Sequence, residues 1–251
     1  AKVDASNAKD GYVMVEYNGQ SKNRLKVRVT GPSGIVYTYD LNKNGNYEVF
    51  PLSDGNGKYT VGVYENTSGN KYALAFSTPV TVMLTDSYAP FLRPNQYVNY
   101  TANSQAVKKA AELTAGKKTD LEKITAIYNY TITTLTYDKQ KAQTVQSGYL
   151  PDVDKVLAEK KGICFDYAAL MTAMLRSQGI PTKLVVGYTG DVYHAWINTY
   201  IPEQGWIEGI IFFDGTTWKL MDPTFASSAN QSKQIMEYIG NGSNYSAKYL
   251  Y

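Results

Sequence analysis

Residues 161–189 read KGICFDYAALMTAMLRSQGIPTKLVVGYT, residues 191–200 read DVYHAWINTY, and residues 219–225 read KLMDPTF. From Cys164 onward the first of these is helical. Phe165, Ala168, Met171 and Leu175 recur at helical spacing, Gly179 supplies a stop, and Pro181 forbids continuation. After Pro181 the pattern changes to short β-rich runs: TKLVVGYT, VYHAWINTYI, GWIEGIIFFDG and TWKLMDPT, with polar turns between them. One helix followed by an antiparallel sheet is the fold these residues predict.

The same stretch holds the chain's single cysteine, Cys164, and its single histidine, His194. Asp222 lies about as far beyond His194 as His194 lies beyond Cys164. A thiol, an imidazole and a carboxylate form an activated-nucleophile set: thiolate attacks, imidazole carries the proton, carboxylate orients the imidazole. At a helix start, free backbone N–H groups and the helix dipole favour thiolate over thiol. The same N–H groups can stabilise an oxyanion. Gly162, lacking a Cβ, would let substrate approach the backbone. Strand alternation puts His194 and Trp196 on one face and Tyr193 and Ala195 on the other. Each residue alone has an ordinary explanation: a buried cysteine acts as a small hydrophobe, a histidine among aromatics is often core, and Asp-Pro is a common turn. Their order and local context together favour chemistry.

Working outward, residues 105–160 read as helices. SQAVKKAAELTAG is one, and DVDKVLAEKKG is another with Val153, Val156 and Leu157 as its stripe. Between them Thr119 and Glu122 make a capping box, ahead of an apolar face of Leu121, Ile124, Tyr128, Ile132 and Leu135. SKQIMEYI near the end is a further helix candidate, followed by an NGSNYS turn. Residues 89–104 hold two prolines and no period, and read as a linker. Residues 1–88 read as about seven short strands broken by turns, the pattern of an immunoglobulin-like antiparallel β-sandwich. DLNKNG, from Asp40, opens like a calcium loop, but its twelfth position is Pro51 rather than glutamate, so it reads as an Asn- and Gly-rich hairpin turn. The expected fold class is α+β, with a sandwich over 1–88, a linker over 89–104 and a catalytic domain over 105–251.

The 251 residues are 43% hydrophobic and 19% charged, a globular composition. A net charge of +3, with no Lys/Arg block, gives no electrostatic case for nucleic acid or an anionic membrane surface. No apolar run is long enough to span a bilayer as a helix. One cysteine forms no intrachain disulfide. The abundance of tyrosine and the AKVDASNAKDGYV start, which reads as a cut edge, point to a secreted or cell-surface chain whose leader has been removed.

G-x-C-x-D-Y-A on a helix, then IPTKLVVGY, then HAW, then DPT resembles the core of the transglutaminase-like superfamily, over roughly residues 120–226. It is similar to bacterial members carried behind β-sandwich domains in secreted proteins. The resemblance implies a papain-like core in which the Cys helix packs on an antiparallel sheet. It makes Cys164 the nucleophile, His194 the base and Asp222 the orienting acid. The LxYD segment, Leu135, Tyr137 and Asp138, also matches, which puts Tyr137 near the site. Tyr137, Trp196 and Gly162 are the expected substrate-binding residues. The implied activity is acyl transfer from peptide or protein amides, with hydrolysis favoured slightly over glutamine–lysine crosslinking. The chain lacks the calcium loops of the large animal enzymes, so no metal and no cofactor is expected. The expected partner is a protein or peptide substrate, at a cell wall or surface. The rival reading is a non-enzymatic surface-binding module built on the β-sandwich.

Overall fold

The computed structural model describes residues 1–202, 204–208 and 245–251, together with the backbone of 211–213 and 218–220. The chain divides into two compact units, Ala1–Gln96 and Tyr97–Tyr251.

The first unit is built from seven strands: β1 (Lys2–Asp4), β2 (Tyr12–Glu16), β3 (Leu25–Thr30), β4 (Val36–Leu41), β5 (Glu48–Pro51), β6 (Gly57–Ser68) and β7 (Lys71–Val82). They form two antiparallel sheets, of order β1-β2-β5 and β4-β3-β6-β7. Period-2 alternation decides what is inside. Val13 and Val15, Leu25, Val27 and Val29, and Tyr59, Val61 and Val63 are buried, while Met14, Lys26, Arg28 and Thr60 between them are more exposed. The sheets face each other across Tyr39 and Phe50, whose rings lie 4.9 Å apart. Fully burying each such side chain contributes roughly 1.5–3 kcal/mol. The result is a β-sandwich.

Three sequence expectations change here. Residues 71–82, where short strands broken by a turn were expected, form the single strand β7, which sits at a sheet edge where Pro79 need not donate a ladder hydrogen bond. The Asn-rich segment after β4 is not a hairpin turn. It carries the chain from the four-stranded sheet to the three-stranded one, held by Asn44 N–H to Asn42 Oδ1 (3.0 Å) and Asn46 N–H to Asn44 Oδ1 (2.9 Å). Finally, the first half of the expected linker belongs to the sandwich. Ala89, Pro90 and Phe91 are buried, and Gln96 donates from its backbone to Val49 O (3.0 Å) and from Nε2 to Asp40 O (2.6 Å). Prolines and the lack of a period hide such tertiary packing from a sequence reading.

The second unit opens with helices α1 (Gln105–Thr114), α2 (Asp120–Thr134), α3 (Lys139–Thr144) and α4 (Val153–Glu159). The capping box of α2 forms as expected: Glu122 N–H donates to Thr119 Oγ1 (3.2 Å), and Thr119 N–H donates to Glu122 Oε2 (3.0 Å). Its buried seam is Ile124, Ile127, Tyr128 and Thr131, so Leu121 and Ile132 of the predicted face are only partly covered. Helix α3 was not foreseen in KQKAQT, which buries none of its residues.

Two-residue strands β8 (Thr136–Tyr137) and β9 (Lys161–Gly162) pair in parallel just ahead of α5 (Cys164–Ser177). Every residue of α5 from Asp166 to Arg176 is buried. A helix covered on all sides is a central one. Helices α1, α2 and α4 pack on it, as do β10 (Thr182–Thr189) and β11 (Val192–Ile201). The sheet is completed by β12 (Gly205–Ile207) and β15 (Tyr245–Leu250), in the order β12-β11-β10-β15, all antiparallel. A separate hairpin pairs β13 (Ile211–Phe213) with β14 (Trp218–Leu220). Strand β15 takes in Tyr245 and Ser246 of the expected turn. The predicted SKQIMEYI helix and Asp222 lie outside the described residues. Among the described residues, no helix is long and apolar enough to cross a membrane.

Arg176 anchors the far end of α5. Its Nε donates to Thr182 O (2.9 Å) and its Nη2 to Tyr251 O (2.7 Å), tying the helix to β10 and to the residue that follows β15. Burial lowers this guanidinium to about 10, so it stays charged at neutral pH. Gly187 sits where β10 meets both neighbours. A Cβ there would stand 2.1 Å from Ser246 O and 2.9 Å from Trp196 Cη2. Gly187→Ala is therefore expected to destabilise the second unit by about 3 kcal/mol, the upper end of the range for overpacking, measured by urea unfolding of the purified chain.

Candidate active site

Cys164 is the first residue of α5 and is half-buried. The first hydrogen bond of the α5 ladder runs from Tyr167 N–H to Ile163 O (3.1 Å), so the N–H groups of Cys164, Phe165 and Asp166 precede it. The helix starts here because Asp166, its third residue, reaches back to accept from Ile163 N–H (2.8 Å). This is the carboxylate half of a capping box, with Ile163 contributing no side-chain oxygen.

Asp166 is completely buried, and two more donors meet it. Lys141 Nζ lies 2.7 Å from Oδ2, and Tyr149 OH donates to Oδ1. Burial, then the bond to Asp166, pushes the Tyr149 phenol well above its usual range. Lys141 comes from α3 and Tyr149 from the loop after it. The motif residue two places past the cysteine is thus the buried anchor of the helix start, and its partners Lys141 and Tyr149 were missed. Nothing local marks them, since α3 has no apolar stripe. The sequence signal that was available is the D of G-x-C-x-D-Y-A, because an aspartate in the first turn of an otherwise apolar helix requires partners.

Tyr137 pairs with Gly162 in the β8–β9 ladder, two residues before Cys164. Asp138 N–H donates to Gly162 O (2.8 Å), and the Asp138 carboxylate caps α3 by accepting from Lys141 N–H (2.9 Å). That bond, assisted by Lys161 Nζ at 3.3 Å, holds the Asp138 carboxyl below its ordinary range. Gly162 itself is buried. A Cβ there would stand 2.6 Å from Asp166 Cβ, so its missing side chain makes room for Asp166 rather than for a substrate.

His194 lies on β11, directly opposite Gly187 on β10, and is 5% exposed. Trp196 stacks on it, with ring centroids 6.2 Å apart and planes 24° apart, and meets the edge of Tyr245 at 5.3 Å. The expected alternation holds: His194 and Trp196 share one face, and Tyr193 packs with Tyr188 on the other. Trp196 is 4% exposed, which makes it a support for the imidazole rather than a surface for substrate. Tyr193 is half-exposed. Burial, with smaller contributions from Tyr249, Tyr188 and Cys164, raises its phenol. Cys164 and His194 sit on two elements packed together, and Asp222 lies outside the described residues.

Residues 107–209 match the family model of the transglutaminase-like superfamily. The chain is 31% identical over 118 residues to YebA, an uncharacterized protein of Bacillus subtilis; the match covers 39% of this chain and 16% of that one. It is 29% identical over 98 residues to a protein-glutamine gamma-glutamyltransferase of Pseudomonas aeruginosa, covering 34% and 13% respectively. The chain thus spans less than a fifth of the length of either relative. A solved structure, the periplasmic domain of TgpA from Pseudomonas aeruginosa, aligns over 94% of this chain and 99% of its own, at 16% identity and a TM-score of 0.44. The matched residues 107–209 take in α5 and the strand carrying His194.

Proposed function

We propose that the second unit is a thiol-dependent acyl-transfer enzyme acting on peptide or protein amides. In this reading Cys164 is the nucleophile, His194 the general base and Asp222 the acid that orients it. The supporting observation is that Cys164 begins α5, a 14-residue helix whose first N–H groups precede its hydrogen-bonded ladder. Thiolate attack on the amide carbon forms a tetrahedral oxyanion, which those N–H groups can stabilise. The imidazole, having taken the thiol proton, returns it to the leaving amine as the thioester forms. A second attack, by water or an amine, releases the acyl group and regenerates the thiol.

Water is the favoured acceptor, because it is always present and the described residues display no feature that selects an amine. The reading with an amine acceptor is supported by the gamma-glutamyltransferase name of the Pseudomonas relative. The chain's setting on this reading is extracytoplasmic, and the β-sandwich holds the enzyme near a surface-borne protein substrate.

With a glutamine-containing peptide and a primary amine offered together, mass spectrometry is expected to find more deamidated or cleaved product than amine conjugate. A dominant conjugate would reverse the order of the two readings. Cys164→Ala is expected to lower turnover at least about 10³-fold, the scale seen when an activated nucleophile is lost. Retention of turnover by that variant would remove the thiol mechanism. His194→Ala should lower turnover comparably, and Asp222→Asn less, because it weakens orientation while keeping the base. In both variants binding of the peptide, read by fluorescence anisotropy, should persist.

A further inference from the structure

Among the described aspartate, glutamate, lysine and arginine residues two are buried: Asp166, 0% exposed, and Arg176, 3%. They stand toward opposite ends of α5. Arg176 is held by backbone carbonyls far from the thiol. Asp166 lies in the same helical turn as Cys164 and is bonded to the N–H of Ile163, the residue before it. A carboxylate so close works against thiol chemistry, because attack requires a second negative charge, on the sulfur.

Capping alone does not require that charge. An asparagine oxygen could also accept from Ile163 N–H. A buried carboxylate is costly unless it is paired, and here a partner is brought in from a separate segment. Lys141 Nζ lies 2.7 Å from Asp166 Oδ2. Tyr149 OH accepts from Lys141 Nζ and donates to Asp166 Oδ1, and the ammonium stands 4.2 Å from the Tyr149 ring centroid. The three groups thus close a triangle. Helix α3, which carries Lys141, buries none of its residues, so polar bonds rather than apolar packing hold the lysine there.

The other charged groups on elements around the helix start have different partners. Lys161 of β9 pairs with Asp138, after β8, at 3.3 Å. Asp152, which caps α4, and Glu159 at its end act on the Tyr149 phenol. On β11, Tyr193 and His194 carry no charge that cancels a carboxylate while the imidazole is a neutral base. Among the described residues, Lys141 is the cation paired with Asp166.

We propose that Lys141 is a positioning residue for the thiol chemistry. Acting through Asp166, it cancels the carboxylate's charge and so allows Cys164 to carry one. The inference rests on Cys164 being the nucleophile.

Cys164 is the chain's single cysteine, so alkylation by iodoacetamide reads this one position. The rate for each folded variant, followed by intact mass at neutral pH, is divided by the rate for the same variant in urea. Lys141→Met is expected to lower this ratio about tenfold, the scale of one unbalanced nearby charge. Lys141→Arg, which keeps the charge, should retain it. Asp166→Asn keeps an acceptor for Ile163 N–H and leaves Lys141 in place, so its ratio should equal or exceed the native one. The double variant Lys141→Met/Asp166→Asn should return close to native. A native ratio in Lys141→Met, or a double variant as slow as Lys141→Met, would overturn the proposal, the second because loss of structure rather than of charge would then be the cause. Thermal melts identify which variants fold. Should Lys141→Met not fold, Asp166→Asn decides alone, and a ratio below native sinks the charge balance. Failure of the nucleophile reading looks different: the native chain itself would react no faster folded than in urea.

Discussion

The buried carboxylate of Asp166 is the contact on which the geometry around Cys164 depends. It lies in the first turn of a helix whose other inward faces are apolar, and a charge in that place is tolerated only with partners. Three are supplied: Ile163 N–H from the chain just before the helix, Lys141 from α3, and Tyr149 from the loop beyond it. Together they fix the point at which α5 begins, and so which N–H groups lie beside the sulfur. Gly162 belongs to the same arrangement, since any side chain there would displace the carboxylate.

The same contact explains why a segment distant in sequence takes part. Strand β8 pairs in parallel with β9, which delivers Asp138 to cap α3, and α3 delivers Lys141 to Asp166. Two residues of strand pairing would be marginal alone. Here the ladder is reinforced by the Lys161–Asp138 ion pair, though that pair is partly solvent-exposed and adds little by itself. On the opposite side of α5, Arg176 ties the helix to Thr182 and Tyr251, so both ends are anchored by polar groups while the middle is held by apolar packing.

Much of this was legible in local pattern. The period-2 alternation of RLKVRVT, the Thr119–Glu122 capping box, and the change from helical to strand pattern at Pro181 all depend on near neighbours, and each corresponds to an observed element. What local pattern could not give was anything set by distant contact. The burial of residues 89–96 on the sandwich, the Asn-rich crossing between sheets, the short helix α3 and the pairing of β15 with β10 have no periodic or capping signature.

The sequence by itself determined the helix that begins at Cys164, the strands that follow Pro181, and the order of thiol, imidazole and carboxylate, because helix caps, strand alternation and glycine or proline stops act over a few residues. Tertiary structure decided what those residues face. It sealed Trp196 against His194, gave the space at Gly162 to Asp166, and left Tyr188 and Tyr193 exposed at the β10–β11 turn. Such outcomes depend on which side chains from remote segments fill the same volume, and a close-packed interior settles that only when the whole unit is assembled.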